Sequence, residues 1–176
     1  MSEADEPLRT GTATPGSQAL RRYRAREGAH VWHLTAVLAD GAFWFRDPVL
    51  AAEAVACIEA VPLHYPATLH AYVVMPDHIH VLLEVADAAL LSAAFGKCKE
   101  AIARRCNRRL KRHGPLWQDG FHDRRLRLER ASPDRQTEML RQAATYIEGN
   151  PVRRSLVQSA GDWPYSSAAA PPAACP

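Results

Sequence analysis

Two histidines, His78 and His80, lie one residue apart in the stretch "MPDHIHVLLE" over residues 75–84. Side chains alternate across a β-strand, so these two imidazoles would point to the same side of a sheet. Their Cα atoms would lie roughly 7 Å apart, close enough for both rings to bind one metal ion. Many such pairs are ordinary residues on an open sheet face. The pair therefore indicates a metal site only if the chain supplies another ligand and a reactive group.

The stretch "TYIEGNPVR" over residues 145–153 contains candidates for both roles. Tyr146 and Asn150 are four residues apart, a spacing that places two side chains on one face of a helix. A tyrosine hydroxyl is a possible nucleophile, and an asparagine oxygen can bind a hard cation. Spacing alone favours a simpler alternative, a half-buried tyrosine and an asparagine that caps the helix. Pro151 also biases Asn150 away from helical backbone, so the shared face is only approximate.

The strands that would carry the histidines are predicted from β-branched and aromatic composition. Residues 30–39 predict a first strand, and residues 121–128 predict a last one. Residues 68–75 and 78–85 predict a hairpin with a tight turn at Met75-Pro76-Asp77. On the second strand of that hairpin, one side is apolar and the histidines share the other side with Leu82 and Glu84. The apolar side should therefore pack against helices, and the histidines should lie away from the main core.

Three helices are predicted from apolar spacing and end signals. Asp47 is a candidate N-cap before Pro48, and the first helix should end near Pro62. Residues 88–112 predict a long helix that Gly114-Pro115 ends, with an apolar stripe of Leu91, Phe95, Cys98, Ile102 and Cys106. Ser132 begins a helix that should run to about Gly149. The order β-α-β-β-α-β-α predicts an α+β fold of ferredoxin-like kind, an antiparallel sheet with helices packed on one face.

Composition favours one domain in a chain of 176 residues, of which 47% are hydrophobic. The sequence contains no stretch of about 18 consecutive apolar residues, so no membrane-spanning helix is predicted. Residues 1–20 contain acidic residues and no apolar block, which indicates a disordered tail and no signal peptide. Residues 21–168 should form the domain, and residues 169–176 a C-terminal tail. The four cysteines have no Cys-x-x-Cys spacing, which favours reduced thiols in a cytoplasmic protein.

Positive charge is concentrated in residues 97–127, which hold eleven of the 22 Lys and Arg residues against three acidic residues. A short charged run is ordinarily a solvated helix face, but a local balance of +8 favours a polyanionic partner. The candidate DNA-binding residues are Lys97, Lys99, Arg104, Arg105, Arg108, Arg109, Arg124 and Arg125.

Four separated motifs resemble those of one protein family. "LHAYVVMPDHIHVLLE" resembles the HUH motif (His, bulky hydrophobic, His) of single-tyrosine transposases. "YIEGNPVRRSLV" is similar to the tyrosine-helix signature of REP-associated tyrosine transposases, where REP denotes repetitive extragenic palindromes. "GPLWQDGFHDRRLR" and "DWPYSS" resemble that branch's intervening and closing segments. The resemblance covers about residues 21–168, and it departs at Arg154-Ser155, where family members often have Ala-Gly.

The resemblance implies a site and a reaction. The metal ligands would be His78 and His80 with Asn150, the cofactor would be Mg²⁺ or Mn²⁺, and Tyr146 would be the nucleophile. The reaction would cut and rejoin single-stranded or hairpin DNA through a covalent 5′-phosphotyrosine, by a monomer or a homodimer. Tyr165 is a second tyrosine, in a segment that indicates packing. Two alternatives remain open: a hairpin-binding protein of the same fold that no longer cuts, and a small zinc hydrolase, which would leave the basic cluster unused.

Overall fold

Four antiparallel strands form one sheet within residues 30–169, the part of the chain that the computed structural model describes. The predicted tail over residues 1–20 lies outside the described residues, as does all but the first residue of the predicted tail over residues 169–176. The strands are β1 (His30–Val37), β2 (Ala67–Val74), β3 (His78–Val85) and β4 (His122–Arg125). Their spatial order is β2-β3-β1-β4, so the histidine strand β3 is internal.

Five α-helices accompany the sheet in the described residues: α1 (Pro48–Glu59), α2 (Val61–His64), α3 (Leu91–Leu110), α4 (Pro133–Glu148) and α5 (Asn150–Arg153). The predicted element order is confirmed, with the short α2 and α5 added. Asp47 caps α1 as predicted, because its carboxylate accepts a hydrogen bond from the Val49 amide at 2.8 Å. α3 ends before the predicted Gly114, since Lys111 adopts a left-handed backbone with φ of 49°. None of these helices is long and apolar enough to cross a membrane.

The main core lies between one face of the sheet and helices α1 and α3. Trp32, Leu34 and Ala36 of β1 alternate with outward residues and pack on this side. The predicted stripe of α3 meets them, and all five of its members are buried. This arrangement confirms the predicted parity of β3, because its apolar residues Ile79, Val81, Leu83 and Val85 belong to the same core.

A second, smaller core lies on the opposite face of the sheet, beneath α4. It joins Val31, Val73, Leu82 and Ile147 with Ala71 and Met75, and Leu140 and Ala143 of α4 pack against it. The α+β class and the antiparallel sheet are therefore as predicted. The prediction that all helices pack on one face is wrong, because α1 and α3 cover one face of the sheet and α4 covers the other. The physical reason is that Val31 and Leu82 make part of this face apolar too, so it needs a helix to cover it.

The closing segment "DWPYSS" runs along the edge strand β2. The Val74 amide donates to the Tyr165 carbonyl at 2.8 Å, and the Trp163 indole donates to the Val74 carbonyl at 2.9 Å. The Trp163 and Tyr165 rings meet edge to face, with centroids 5.7 Å apart, and Tyr165 packs against the main core. Tyr165 therefore has the packing role that the sequence indicates.

Candidate active site on the histidine face

His78 and His80 point to the same side of β3, and their rings converge. The two Nε2 atoms are 3.2 Å apart, and the ring centroids are 4.7 Å apart. His78 is buried, with 7% of its surface exposed. Two neighbouring ligands of an octahedral ion, each roughly 2.1 Å from it, lie at about this separation. The imidazoles are therefore placed to share one cation.

The other nitrogen of each ring is held by a neighbouring oxygen. His78 Nδ1 lies 2.6 Å from Asp77 Oδ1, and His80 Nδ1 lies 2.8 Å from Thr35 Oγ1. An ionised carboxylate only accepts hydrogen bonds, so His78 Nδ1 is the donor in this contact. Such outer partners fix the tautomer and the orientation of metal-binding histidines. Asp77 therefore selects Nδ1 as the donor atom of His78, and Thr35 orients the ring of His80.

A third histidine, His33 of β1, completes the cluster. His33 Nε2 lies 3.1 Å from His80 Nδ1, and the ring centroids of His33 and Tyr146 are 6.1 Å apart. β1 pairs with β3 so that Thr35 lies opposite His80. Sequence reasoning missed His33, although His33 and Thr35 have the same strand parity, because nothing in the sequence shows that β1 adjoins β3.

Burial favours the neutral form of His80 and of His33. It lowers the pKa of His80 to about 3, and the neighbouring His78 and His33 act in the same direction. The pKa of His33 is also lowered, mainly by burial and then by Arg124. A neutral imidazole is the form that binds a metal ion. His80 is therefore ready to act as a ligand at neutral pH without first losing a proton.

Tyr146 lies beside the histidines and is 54% exposed, while the next residue, Ile147, is fully buried in the second core. The guanidinium of Arg153 lies over the Tyr146 ring, with Cζ 4.1 Å from the centroid, and it also donates to the Tyr146 carbonyl. The structure therefore brings the predicted nucleophile to the histidine side of the sheet. It also places a positive charge next to it, which the sequence pattern did not indicate.

Asn150 begins α5 and does not continue the face of α4. Its Nδ2 donates to the carbonyls of Tyr146 at 3.2 Å and Ile147 at 2.9 Å, so it caps the end of α4. The capping alternative is therefore present, and Oδ1 is the atom that a cation would use. Within residues 30–169, no group of three or more His, Cys, Asp or Glu side chains is arranged to hold a metal. As donor types, two imidazoles and an amide oxygen suit a cation that keeps water and phosphate as further ligands.

A groove of about 1060 Å³ runs from Tyr146 between α4 and β4. Its lining includes His33, Arg124, Arg127 and Gln142. Arg124 lies opposite His33 in the β1–β4 register, so its exposed side chain points to the histidine face. Arg125 faces the other way, and its side chain is only 5% exposed and pairs with Glu129 at 2.9 Å. Both residues border the groove, but only Arg124 has an exposed side chain there.

The basic residues of α3 lie away from the histidines, because α3 covers the opposite face of the sheet. Several are paired with carboxylates: Lys97 and Arg104 with Glu100, at 2.8 and 2.7 Å, and Arg105 and Arg109 with Glu53, at 3.0 and 3.1 Å. Lys99 donates to the Gly120 carbonyl, and burial lowers its pKa. The aromatic residues Trp117 and Phe121 pack on the main core. A DNA molecule that touched both this helix and Tyr146 would therefore have to pass around an edge of the domain.

The sequence matches the family described as "Transposase IS200 like" over residues 29–150. A protein of Haemophilus influenzae, whose name marks it as a candidate REP-associated tyrosine transposase, is 31% identical over 114 residues. The match spans 59% of this chain and 60% of that relative's length. The solved structure of a REP-associated tyrosine transposase bound to a REP hairpin matches with a TM-score of 0.62 at 21% identity. It covers 95% of this chain and 82% of that chain, and it shows a shared fold.

Proposed function

Because the chain belongs to the IS200-like transposase family, we propose that it cuts and rejoins single-stranded DNA at hairpins through a covalent bond to Tyr146. The observation that carries this proposal is the convergence of His78 Nε2 and His80 Nε2 on the sheet face where Tyr146 is exposed. The similarity to a transposase solved with a REP hairpin supports hairpin DNA as the substrate. Membership in a transposase family leaves the zinc hydrolase alternative without support.

In the proposed step, the Tyr146 hydroxyl oxygen attacks the scissile phosphorus. A bond between that oxygen and phosphorus forms, and the bond from phosphorus to the 3′ oxygen breaks. The phenol loses its proton during the attack, and the leaving 3′ oxygen gains one. The products are a 5′-phosphotyrosine and a 3′-hydroxyl. The reverse reaction rejoins DNA without ATP, because the phosphotyrosine conserves the energy of the broken bond.

We infer that His78, His80 and Asn150 would hold Mg²⁺ or Mn²⁺. When bound, the cation supplies positive charge that polarises the scissile phosphate. Two nitrogen ligands favour Mn²⁺ slightly over Mg²⁺. The Asp77 carboxylate, 2.6 Å from His78 Nδ1, favours Nε2 as the ligand atom of His78, and Thr35 Oγ1, 2.8 Å from His80 Nδ1, orients the ring of His80.

Two arginines would assist the phosphate. Arg153 lies over the Tyr146 ring and so places a positive charge next to the side chain that carries the attacking oxygen. Arg124 lines the groove that begins at Tyr146. A guanidinium binds phosphate oxygens by paired hydrogen bonds, so both residues favour a phosphate close to the nucleophile.

The test is to incubate the protein with single-stranded hairpin DNA from the flanks of its own gene, with Mg²⁺, Mn²⁺ or EDTA. We expect a nicked strand and a protein–DNA adduct that survives denaturing electrophoresis, with either cation and not with EDTA. Tyr146→Phe is the matched control, since it retains the ring and lacks the attacking oxygen. Hairpin binding without any nick or adduct would instead support the alternative of a binding protein that does not cut.

A further inference from the structure

Three consecutive aromatic residues, Phe43, Trp44 and Phe45, connect β1 to α1. Phe45 is 1% exposed and packs against Trp117, with ring centroids 5.7 Å apart. Phe43 and Trp44 are 48% and 36% exposed, although both are large and apolar. Neighbouring exposed aromatic residues commonly mark a binding surface. Core packing therefore accounts for Phe45 and leaves the exposure of Phe43 and Trp44 to be explained.

Each exposed ring carries an arginine. Arg46 Cζ lies 4.7 Å from the Phe43 centroid, and Arg112 Cζ lies 5.6 Å from the Trp44 centroid. Arg112 is itself fixed by hydrogen bonds to Asn107 Oδ1 at 3.0 Å and to the Pro115 carbonyl at 3.2 Å. Aromatic rings beside fixed cations suit single-stranded nucleic acid, because bases stack on the rings and phosphates pair with the guanidinium groups.

This aromatic segment is attached to the turn that leads into the candidate active site. The Phe45 amide donates to the Pro76 carbonyl at 3.2 Å, and the Leu38 amide donates to the Asp77 carbonyl at 2.8 Å. Asp77 is also the carboxylate that holds His78. The segment that carries the exposed rings is therefore hydrogen-bonded to the same short turn that leads into the histidine pair.

We propose that Phe43 and Trp44 form a stacking platform for unpaired bases of the DNA strand that the protein cuts, with Arg46 and Arg112 binding the adjoining phosphates. The proposal rests on the proposed function for the identity of the strand. Stacking accepts any base, because every base has an aromatic face. The platform therefore recognises that the segment beside the hairpin is unpaired, and it does not read its sequence.

The experiment measures binding in EDTA with the Tyr146→Phe variant, so that no strand is cut. Three DNAs are compared: a hairpin with an unpaired flank, the same hairpin with its flank paired to a complementary strand, and the hairpin alone. 2-Aminopurine is placed at successive flank positions to report stacking by fluorescence quenching. We expect the unpaired flank to bind tighter than the other two DNAs, with quenching at one or two positions.

Phe43→Ala with Trp44→Ala should weaken binding of the unpaired flank by at least about fivefold, abolish the quenching and leave the hairpin alone unaffected. Leu63→Ala is the matched control, because Leu63 is an apolar residue that is 81% exposed and offers no ring on which a base could stack. Trp44→Leu keeps an apolar side chain and removes the ring, so it serves if the double alanine variant fails to fold.

Equal weakening of all three DNAs, or unchanged quenching in the variants, would overturn the platform. So would a change from dimer to monomer without any change in flank binding, because the surface would then join two copies of the chain. The cleavage assay is independent of this one. If quenching is seen but the wild-type protein never cuts DNA, the proposed function is rejected and the platform is retained. If the wild-type protein cuts DNA but no quenching is seen, the platform is rejected and the proposed function is retained.

Discussion

The two faces of the sheet differ in composition and in what they do. The face under α1 and α3 is built from apolar side chains such as Trp32, Leu34 and Val81. The face under α4 has a smaller apolar cluster around Val73 and Leu82, and the histidines lie beside it. Adjacent residues of the same strands therefore serve stability on one side and are available for chemistry on the other.

The helix α4 shows the same division within two residues. Ile147 is fully buried against the sheet, whereas Tyr146 is half exposed beside His33. The buried residue fixes the helix, and the fixed helix positions its exposed neighbour. Substitutions on the two faces should therefore have separable effects, on folding for one face and on DNA cleavage for the other.

The substitution Tyr146→Phe should have the largest effect, a loss of DNA cleavage. Cleavage should fall to background, because the substitution removes the attacking oxygen, while the melting temperature and hairpin affinity should stay the same. Adduct formation on denaturing gels and thermal unfolding check both expectations. Tyr165→Phe is the control and should form the adduct normally, since Tyr165 packs against the main core. An adduct on the Tyr146→Phe protein would identify a different nucleophile.

His78→Ala should also abolish cleavage, but by weakening the cation site. Excess Mn²⁺ should restore part of the cleavage, because His80 and the oxygen ligands remain, and added metal should not rescue Tyr146→Phe. A cation titration of cleavage for the two variants makes the comparison. If Mn²⁺ has no effect on the His78→Ala protein, or if that protein cleaves normally without excess metal, the assigned role of His78 is wrong.

The next effect is on stability and comes from the other face. Phe95 is 1% exposed in the main core, so Phe95→Ala should lower the free energy of unfolding by about 3–5 kcal/mol. Cleavage per folded molecule should be retained at a temperature where the variant is folded. Urea unfolding and an adduct assay at low temperature test this pair of results. A folded Phe95→Ala protein that cannot cut would show that the two faces are not separable.

The histidine face should also make the metal-free protein sensitive to acid. An unfolded chain protonates His80 near its ordinary pKa of about 6.5, whereas the folded protein does so only near 3. Between these values the unfolded state binds more protons, so stability falls as pH falls from about 6.5 to 3 and is unaffected above that range. His80→Asn should lose less stability over the same interval. Urea midpoints measured in EDTA at several pH values test it, and equal losses would contradict the expectation.

The smallest expected effect is on DNA binding by the basic residues of α3, which covers the main-core face of the sheet. Replacing Lys97, Arg104 and Arg108 by Ala should weaken hairpin binding and lower the log–log salt slope by about 0.7–0.9 for each phosphate that the helix no longer neutralises. The total should be small, because Glu100 already pairs with Lys97 and Arg104. Lys99 is not substituted, because its ammonium group donates a hydrogen bond to the Gly120 carbonyl. Arg124→Ala, in the groove, is the comparison variant. An unchanged slope for the α3 variant would confine DNA binding to the histidine face.

Local pattern in the sequence determined the elements and the sides of each element. The alternation in "HIHVLLEV" placed His78 and His80 together on the side away from the main core, and the structure has them there. The three- and four-residue spacing of Phe95, Cys98 and Ile102 identified the buried stripe of α3. These predictions needed only the geometry of one strand or one helix, in which nearby residues fix their relative directions.

Only the tertiary structure decided which elements meet. It placed α4 on the histidine face, His33 of β1 beside His80, and α3 on the far side from Tyr146. Each of these depends on contacts between distant segments, which form because apolar areas from both sides of the sheet must be buried at once. The periodicity of a segment states which of its sides is apolar. It does not indicate which other segment will cover that side. The groove beside Tyr146 forms between β4 and α4, and their packing cannot be predicted from the periodicity of either segment alone.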